Sequence, residues 1–170
     1  MTHAFAFSSE NLAKFHLILA KYPKDQKRSA LLPCLMLVQN QNDGWLSVEA
    51  MEYVAQLLDL PYIRVYEVAT FYSMFQLEPR GKFHFKVCTT TPCCLVKSDE
   101  LLALIREQTC VSDAKNISED GLFSVSEVEC LGACVGAPVV HINNECHEKV
   151  TPQSMIDIIR SLKKSDAGRG

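Results

Sequence analysis

The sequence predicts an α+β protein in which a helical bundle precedes a compact α/β domain. Apolar residues recur at helical spacing through the first half of the chain and alternate with polar residues in much of the second half. The two patterns meet at a turn-type junction, Pro79-Arg80-Gly81. Two pairs of cysteines also follow predicted strands of the second half. We therefore assign residues 1–80 to the bundle, residues 81–164 to the α/β domain and residues 165–170 to a frayed tail.

Four short helices are predicted in the bundle, because apolar residues there recur every three or four positions. Pro33 lies in the second apolar stretch, where its missing N–H indicates a kink or a helix start. Serines before the first and third helices have the chemistry of N-caps. The four helices are predicted to begin near Ser8 or Ser9, near Ala30, at Ser47 and at Ile63.

The fourth predicted helix, Ile63 to Phe75, carries more apolar residues than one buried face needs. Its exposed side is therefore a candidate contact for a partner protein. The alternative is a helix that is buried on every side.

Alternation of apolar and polar residues predicts the strands of the second domain. Acidic residues at the start of the helix that follows the first strand favour its N-terminus. The predicted strands are Phe83 to Val87, Phe123 to Glu129, Val139 to Asn143 and a short edge strand at His147 to Val150. The predicted helices are Ser98 to Gln108 and one that begins at Thr151.

Composition limits the classes of partner. The 170 residues are 48% hydrophobic and carry a formal net charge of −3, with a pI near 5.9. Such a chain can bury its own core and has no basic field for nucleic acid or anionic lipid. We expect protein partners and no nucleic acid.

The first residues resemble neither a secretory signal nor a transit peptide. No apolar run approaches the roughly 20 residues that a membrane helix needs. We therefore expect a chain that stays where it is made and does not insert into a membrane. In a reducing cytoplasm the eight cysteines are expected to be thiols or metal ligands rather than disulfides.

Four cysteines form two short-range pairs, each just after a predicted strand. The first pair is Cys88 and Cys93, in the order Cys-Thr-Thr-Thr-Pro-Cys, and the second is Cys130 and Cys134, in Cys-Leu-Gly-Ala-Cys. Loops at neighbouring strand ends can converge on one point, and iron–sulfur clusters are held by four thiolates. The small or polar residues between the cysteines allow backbone N–H groups to approach the sulfurs. The pattern favours an iron–sulfur site.

The spacing of the paired cysteines also helps to judge three other kinds of site: structural zinc, a redox dithiol and a Rieske centre. Structural zinc sites usually have two to four residues between paired cysteines. The second pair fits this range and the first does not, so a zinc site stays open. A thioredoxin-type dithiol needs Cys-x-x-Cys, which is absent, and a Rieske centre needs two histidine ligands, whereas neither loop contains one.

The other cysteines are interpreted as structural. Cys34 lies among leucines and is predicted to be a core residue, and Cys110 and Cys146 lie near element ends. Cys94 adjoins a candidate ligand and is the one alternative ligand among them. No Gly-rich turn for a nucleotide phosphate is present.

The residues around these cysteines resemble the 24 kDa, or E-type, subunit of the respiratory NADH dehydrogenase complex. Val87 to Cys93 resembles its first ligand loop, and Asp120 to Ser124 with Cys130 to Pro138 resembles its second. Arg64 to Phe75 is similar to the family's last N-terminal helix. The likeness runs from about Tyr22 to Val140.

This resemblance implies a thioredoxin-like domain with one [2Fe–2S] cluster on Cys88, Cys93, Cys130 and Cys134. It implies a non-catalytic electron-transfer subunit of NADH:quinone oxidoreductase, a respiratory-chain translocase, which exchanges one electron with the FMN of a partner subunit. That partner binds FMN and NADH, and further complex I subunits complete the assembly. Cys94 stands where the family often has a bulky residue, which leaves the packing beside the cluster open.

Similar subunits also serve NAD-linked formate dehydrogenases and hydrogenases, and a zinc-stapled protein-interaction module is an alternative of a different class. The resemblance implies a bacterial cytoplasmic protein, peripheral on the cytoplasmic side of the inner membrane through the complex. For a processed organellar form it implies the mitochondrial matrix side.

Overall fold

The computed structural model describes residues 5–112 and 114–168. The chain divides into two compact units, Met1–Pro79 and Arg80–Gly170. The first unit is helical and the second contains a four-stranded sheet. The predicted α+β class is therefore confirmed.

Four α-helices and one 3₁₀ turn make up the described part of the first unit. Ser8 and Ser47 cap the first and third helices, because their hydroxyls accept the N–H groups of Asn11 and Ala50 at 3.2 Å. Pro33 lies in the first turn of the second helix, where its missing N–H costs no hydrogen bond. The elements are α1 (Ser9–Leu19), the 3₁₀ turn Lys27–Ala30, α2 (Leu31–Gln41), α3 (Val48–Leu58) and α4 (Tyr62–Phe71).

Helix α4 ends earlier than its pattern predicted. Tyr72 is already extended, with φ −90° and ψ 115°. The side chain of Gln39, on α2, donates to the carbonyl of Met74 at 3.1 Å and accepts the N–H of Gln76 at 2.8 Å. These bonds hold the segment that follows α4 in a non-helical path. The helix is not buried on every side either, since Phe71 is 78% exposed.

The core of the first unit is formed by the inner faces of its helices. Each helix contributes apolar residues at a spacing of three or four, so that one stripe of each faces the others. Buried members include Phe15, Cys34, Leu35, Val38, Met51, Val54, Leu58 and Val65.

The second unit is built on a sheet with the strand order β2-β1-β3-β4. Strands β1 and β2 are parallel, and the pairs β1–β3 and β3–β4 are antiparallel. The crossover between the parallel strands passes through two helices. The elements are β1 (Phe83–Cys88), α5 (Thr91–Cys94), α6 (Ser98–Thr109), β2 (Phe123–Val128), the 3₁₀ turn Cys134–Gly136, β3 (Val140–Ile142), β4 (Glu145–His147) and α7 (Pro152–Ala167).

Helices α6 and α7 share one core with the sheet. Apolar residues that alternate along the strands pack against one stripe of each helix. The buried members include Phe85, Val87, Phe123, Val125, Leu101, Ile105, Met155 and Ile159.

Apart from one-residue shifts at element ends, the structure of this unit differs from the prediction in three ways. The edge strand is Glu145–His147 rather than His147–Val150, because a two-residue turn at Asn143 sets the hairpin register and pairs Val140 with His147. The short helix α5 was not predicted. Residues 165–167, expected in the frayed tail, continue α7, where Asp166 forms an ion pair with Lys82. Residues 169–170 of the predicted tail lie outside the described part.

No helix in the described ranges combines the length and the apolarity needed to cross a membrane.

Candidate metal centre

The two cysteine pairs lie at the same edge of the sheet. Cys88 is the last residue of β1, and Cys130 comes two residues after the end of β2. The two strands are parallel neighbours, with Cys88 in register with Val128. The N–H of Thr89 donates to the Val128 carbonyl at 3.2 Å and keeps the two chains together beyond the strand ends. The predicted juxtaposition of the two loops is therefore present in the backbone.

Cys88 is buried beneath the second loop. Its thiol donates to the carbonyl oxygen of Glu129 at 3.1 Å, and its Sγ lies 3.2 Å from Oγ1 of Thr90. Burial alone raises the pKa of this thiol, but hydrogen bonds from the Thr90 hydroxyl, from the N–H groups of Thr90 and Leu131 and from Cys93 outweigh it. The net result is a pKa below that of an ordinary cysteine. The lowered pKa reduces the cost of removing the proton that a metal would displace.

Cys93 lies in α5 and is also buried, at 1% exposure. Burial raises the pKa of its thiol, and the adjacent sulfurs of Cys88 and Cys134 raise it further. The N–H of Val139 donates to this sulfur and acts in the opposite direction. The sulfurs of Cys88 and Cys134 both affect the pKa of Cys93, so these three of the four candidate ligands lie close enough to interact electrostatically.

Cys130 and Cys134 are exposed, on a loop that turns tightly. The N–H of Gly132 donates to Sγ of Cys130 at 3.4 Å, and Gly132 has φ +76°, a region that favours glycine. Cys134 opens the 3₁₀ turn Cys134–Gly136. The N–H of Lys149 donates to the Gly136 carbonyl at 2.6 Å and fastens this turn to the rest of the unit.

The side chains do not form a finished ligand set. Within residues 5–112 and 114–168, no three histidine, cysteine or acidic side chains are arranged to hold a metal ion. The structure brings Cys88 and Cys93 into contact, puts Cys134 within electrostatic range and leaves Cys130 exposed on the same loop. The assignment of all four as ligands stays a prediction.

The residues present nevertheless fit an iron–sulfur cluster. The donor set consists of thiols, which such clusters require. Backbone N–H groups already point at three of the four sulfurs: those of Thr90 and Leu131 at Cys88, that of Val139 at Cys93 and that of Gly132 at Cys130. Donors of this kind stabilise the negative charge of a thiolate-bound cluster. Val139 and Leu131 also pack against the two buried cysteines.

Sequence reasoning missed the hydroxyl of Thr90 and the N–H of Val139 as partners of the sulfurs. Thr90 stands two residues after Cys88, a position from which a hydroxyl can reach the sulfur, so the local sequence contained a signal. Val139 is 46 positions away from Cys93 along the chain, and only the fold brings it close.

Among the remaining cysteines, Cys34 has the core environment that its pattern predicted, whereas the structural roles of Cys110 and Cys146 stay predictions. Cys34 is fully buried in the bundle core, and burial raises the pKa of its thiol to about 12. Cys110 is the left-handed residue that ends α6, and Cys146 is exposed on β4. Cys94 is exposed beside Cys93, and its role as an alternative ligand stays a prediction.

Comparison with known proteins gives the family. Residues 15–163 match the model of the thioredoxin-like [2Fe–2S] ferredoxins. The chain belongs to the thioredoxin-like [2Fe–2S] ferredoxin family. The thioredoxin-like fold and the iron–sulfur character implied by the sequence resemblance are thereby confirmed.

Relatives from Rickettsia resemble this ferredoxin-family chain over nearly its full length. It is 52% identical over 159 residues to the E-type subunit of the NADH-quinone oxidoreductase of Rickettsia bellii (strain RML369-C), covering 94% of this chain and 95% of the relative. It is 50% identical over 155 residues to the corresponding protein of Rickettsia prowazekii (strain Madrid E), covering 91% and 87%.

A solved structure supports the fold. The chain superimposes on part of an NAD⁺-reducing [NiFe]-hydrogenase in the air-oxidised state with a TM-score of 0.69 and 17% identity. The match covers 85% of this chain and 24% of the hydrogenase chain, so this chain spans about a quarter of that protein's length. At this identity the likeness applies to the fold alone.

Proposed function

We propose that this chain is the E-type electron-transfer subunit of an NADH-quinone oxidoreductase. The observation that carries the proposal is the identity of about half the residues to Rickettsia subunits of that type over almost the whole chain. The chain is thus a component of an oxidoreductase complex, in which it transfers electrons.

Within this function, Cys88, Cys93, Cys130 and Cys134 are the proposed ligands of one [2Fe–2S] cluster. When bound, such a cluster takes up and releases one electron at a time. The chain contributes four sulfurs and the N–H groups that face three of them. Apolar side chains, among them Val139, exclude water from the buried pair. Their exclusion of water strengthens the effect of every nearby dipole on the site.

The partner is proposed to be a subunit that binds FMN and NADH, accompanied by further subunits of the same complex. The chemistry supports this division, because NADH gives two electrons as hydride and a flavin is needed to release them singly. We also propose that the chain is peripheral on the cytoplasmic side of a bacterial inner membrane. Residues 1–80 and 81–164 are proposed to be separate folding domains, a division supported by the two compact units.

The alternatives have less support. For a hydrogenase subunit, the likeness at 17% identity supports only the fold. The identity to the Rickettsia proteins is about three times as high. A zinc-stapled interaction module agrees with the spacing of one cysteine pair but not with membership of an iron–sulfur family.

The proposal is tested on protein purified anaerobically from its host. Iron and acid-labile sulfide are measured per chain, and the reduced sample is examined by EPR. We expect two irons and two sulfides per chain, a reduced-state EPR signal and co-purification with a flavoprotein that oxidises NADH. A folded, colourless protein that contains zinc and no sulfide would refute the cluster. Co-purification with a hydrogenase or formate dehydrogenase would refute the assignment to the quinone reductase.

A further inference from the structure

Three consecutive threonines follow Cys88, and their hydroxyls have different surroundings. The hydroxyl of Thr89 donates to Oε1 of Glu127 at 2.7 Å, and Thr91 is exposed at the start of α5. Oγ1 of Thr90, in contrast, lies 3.2 Å from Sγ of Cys88. Among the contacts of the described residues, the middle threonine is therefore the one of the three whose hydroxyl bonds a proposed ligand.

The hydroxyl of Thr90 does not perform the task that its position in the helix predicts. Thr90 is the N-cap residue of α5, with φ −72° and ψ 164°, and a threonine there ordinarily accepts an N–H of the first turn through its side chain. Within the described turn its side chain makes no such bond. The Thr90 carbonyl instead accepts the N–H groups of Cys93 and Cys94, each at 2.9 Å. Because the backbone closes the turn, the hydroxyl is left to bond the sulfur.

The hydroxyl of Thr90 is the donor in this bond. As a thiol, Cys88 has one proton, which it donates to the carbonyl oxygen of Glu129, with Sγ and that oxygen 3.1 Å apart. As a metal ligand, a cysteine is a thiolate, which has no proton and can only accept. In both forms the bond between Thr90 and the sulfur of Cys88 therefore takes its proton from the threonine.

The sulfur that accepts this bond is shielded from water. Cys88 is 2% exposed and shares an apolar cluster with Val139 and Leu131. Where water is excluded, a dipole acts more strongly on a nearby charge. An added electron makes a thiolate-bound cluster more negative, and a hydrogen bond donated to one of its sulfurs stabilises that more negative state. The Thr90 hydroxyl therefore favours the reduced form.

We propose that Thr90 raises the reduction potential of the cluster by donating its hydroxyl to the sulfur of Cys88. The inference rests on the proposed function and assigns a residue that adjusts it. Thr90 is not a ligand but a positioning residue, which acts through Cys88 by placing a dipole at its sulfur. Unlike a backbone N–H, such as that of Gly132 at Cys130, this donor can be removed by substitution without a change in the backbone.

The test is a redox titration of the purified full-length chain with its cluster. Dithionite is the reductant, and the EPR signal of the reduced state is measured against the ambient potential. Thr90→Val keeps the branched shape and loses the hydroxyl. At a fixed potential we expect this variant to lower the ratio of reduced to oxidised protein about tenfold, which is a shift of about 59 mV to more negative potential for one electron.

The neighbouring threonines supply matched controls. Thr89→Val and Thr91→Val each remove a hydroxyl one position away, and we expect both to keep the potential of the unsubstituted chain. Thr90→Ser retains a hydroxyl at the decisive position and is expected to keep it as well. Iron and acid-labile sulfide per chain are measured in every variant, so that potentials are compared only between chains that hold the cluster.

The outcomes separate the role of Thr90 from the wider function. An unchanged potential in Thr90→Val would overturn the inference and leave the proposed function intact. An equal shift in Thr89→Val, Thr91→Val or Thr90→Ser would also overturn it, because the shift would then not follow the hydroxyl. Thr90→Ala is a second variant without the hydroxyl, and loss of iron from both it and Thr90→Val would assign Thr90 to cluster retention instead. An unsubstituted chain without iron and sulfide would refute the proposed function and this inference together.

Discussion

The thiol of Cys88 donates a hydrogen bond of 3.1 Å to the carbonyl oxygen of Glu129, 41 positions further along the chain. This bond joins the end of β1 to the loop that carries the second cysteine pair. Because Cys88 ends β1 and Glu129 directly follows its parallel neighbour β2, the contact depends on the sheet and not on the loops alone. The end of β1 and the loop of the second cysteine pair are therefore held together by the fold of this unit.

Substitution tests whether Cys93, and not the adjacent Cys94, is a ligand of the cluster. We expect Cys93→Ser to lose or severely alter the cluster, because a serine oxygen replaces one of the four thiolates that it needs. Cys94→Ser is the matched control, since it makes the same change at the next position, where the side chain is exposed. Visible absorbance and iron per chain measure the result. Equal loss of iron in both variants would contradict the assignment of Cys93 over Cys94.

Loss of the cluster is not expected to unfold the first unit. Its core and the core of the second unit are formed by separate sets of residues. We therefore expect Cys134→Ser to lose the visible absorbance while most of the far-UV circular dichroism remains. A loss of the helical signal in proportion to the loss of iron would show that the two units do not fold separately.

The exposed side of α4 is predicted to contact another subunit. Phe71 and Ile63 are 78% and 64% exposed, whereas Val65 and Ala69 of the same helix are buried. We expect Phe71→Glu to reduce assembly into the complex severalfold, because a carboxylate would have to be desolvated at the contact. Recovery of the chain in the purified complex is the measurement, with Leu17→Glu as the exposed control. Normal recovery of the Phe71 variant would remove this surface from the interface.

Several elements were predictable because their causes are local. Ser8 and Ser47 cap helices through bonds to residues three positions away, which a sequence window contains. The cysteine pairs could be assigned to neighbouring strand ends because strand patterns precede both. Helix α5 was missed because its four residues, Thr91–Cys94, are too few to show a helical period.

Other features depend on residues that are distant in sequence. Helix α4 ends where Gln39 binds the segment that follows it, more than 30 positions away. The positions of the Cys130 and Cys134 side chains depend on a loop whose turn is fastened by Lys149. Gly81 was recognised as part of a turn, but its closest neighbours belong to β2. No local pattern contains these relationships.

Buried His84 makes the second unit sensitive to acid. Burial, together with the charges of Arg80 and Lys86, lowers its pKa from 6.5 to about 3. Its Nδ1 lies 2.7 Å from Oγ of Ser124, and its Nε2 has no hydrogen-bond partner among the described residues. Below pH 6.5 the His84 imidazole becomes protonated in the unfolded chain, whereas in the folded chain it stays neutral until the pH approaches 3. The contribution of His84 to stability is therefore complete above pH 6.5 and declines as the pH falls towards 3.

This linkage predicts a loss of about 2 kcal/mol in the free energy of unfolding between pH 7 and pH 5, in addition to other titrations. His84→Gln is expected to remove that part of the pH dependence, because glutamine does not titrate. Amide hydrogen exchange of β1 and β2, corrected for intrinsic rates, measures the free energy in this unit. His16→Gln, at an exposed position, is the control. A variant at position 84 with the same pH dependence as the unsubstituted protein would contradict the role of this histidine.

Gly81 lies against the backbone of β2, and a side chain there has no room. Its N–H donates to Oγ of Ser124 at 3.0 Å, and an added Cβ would lie 2.3 Å from the carbonyl carbon of Phe123. We expect Gly81→Ala to lower the free energy of unfolding of the second unit by about 3 kcal/mol, the upper end for overpacking, because backbone atoms cannot rotate aside. Gly168→Ala is the matched control, since its Cβ would meet only Lys164, at an ordinary 3.7 Å. Hydrogen exchange in β1 and β2 measures both variants, and equal exchange in the two would mean that β1 can shift away from β2 at little cost.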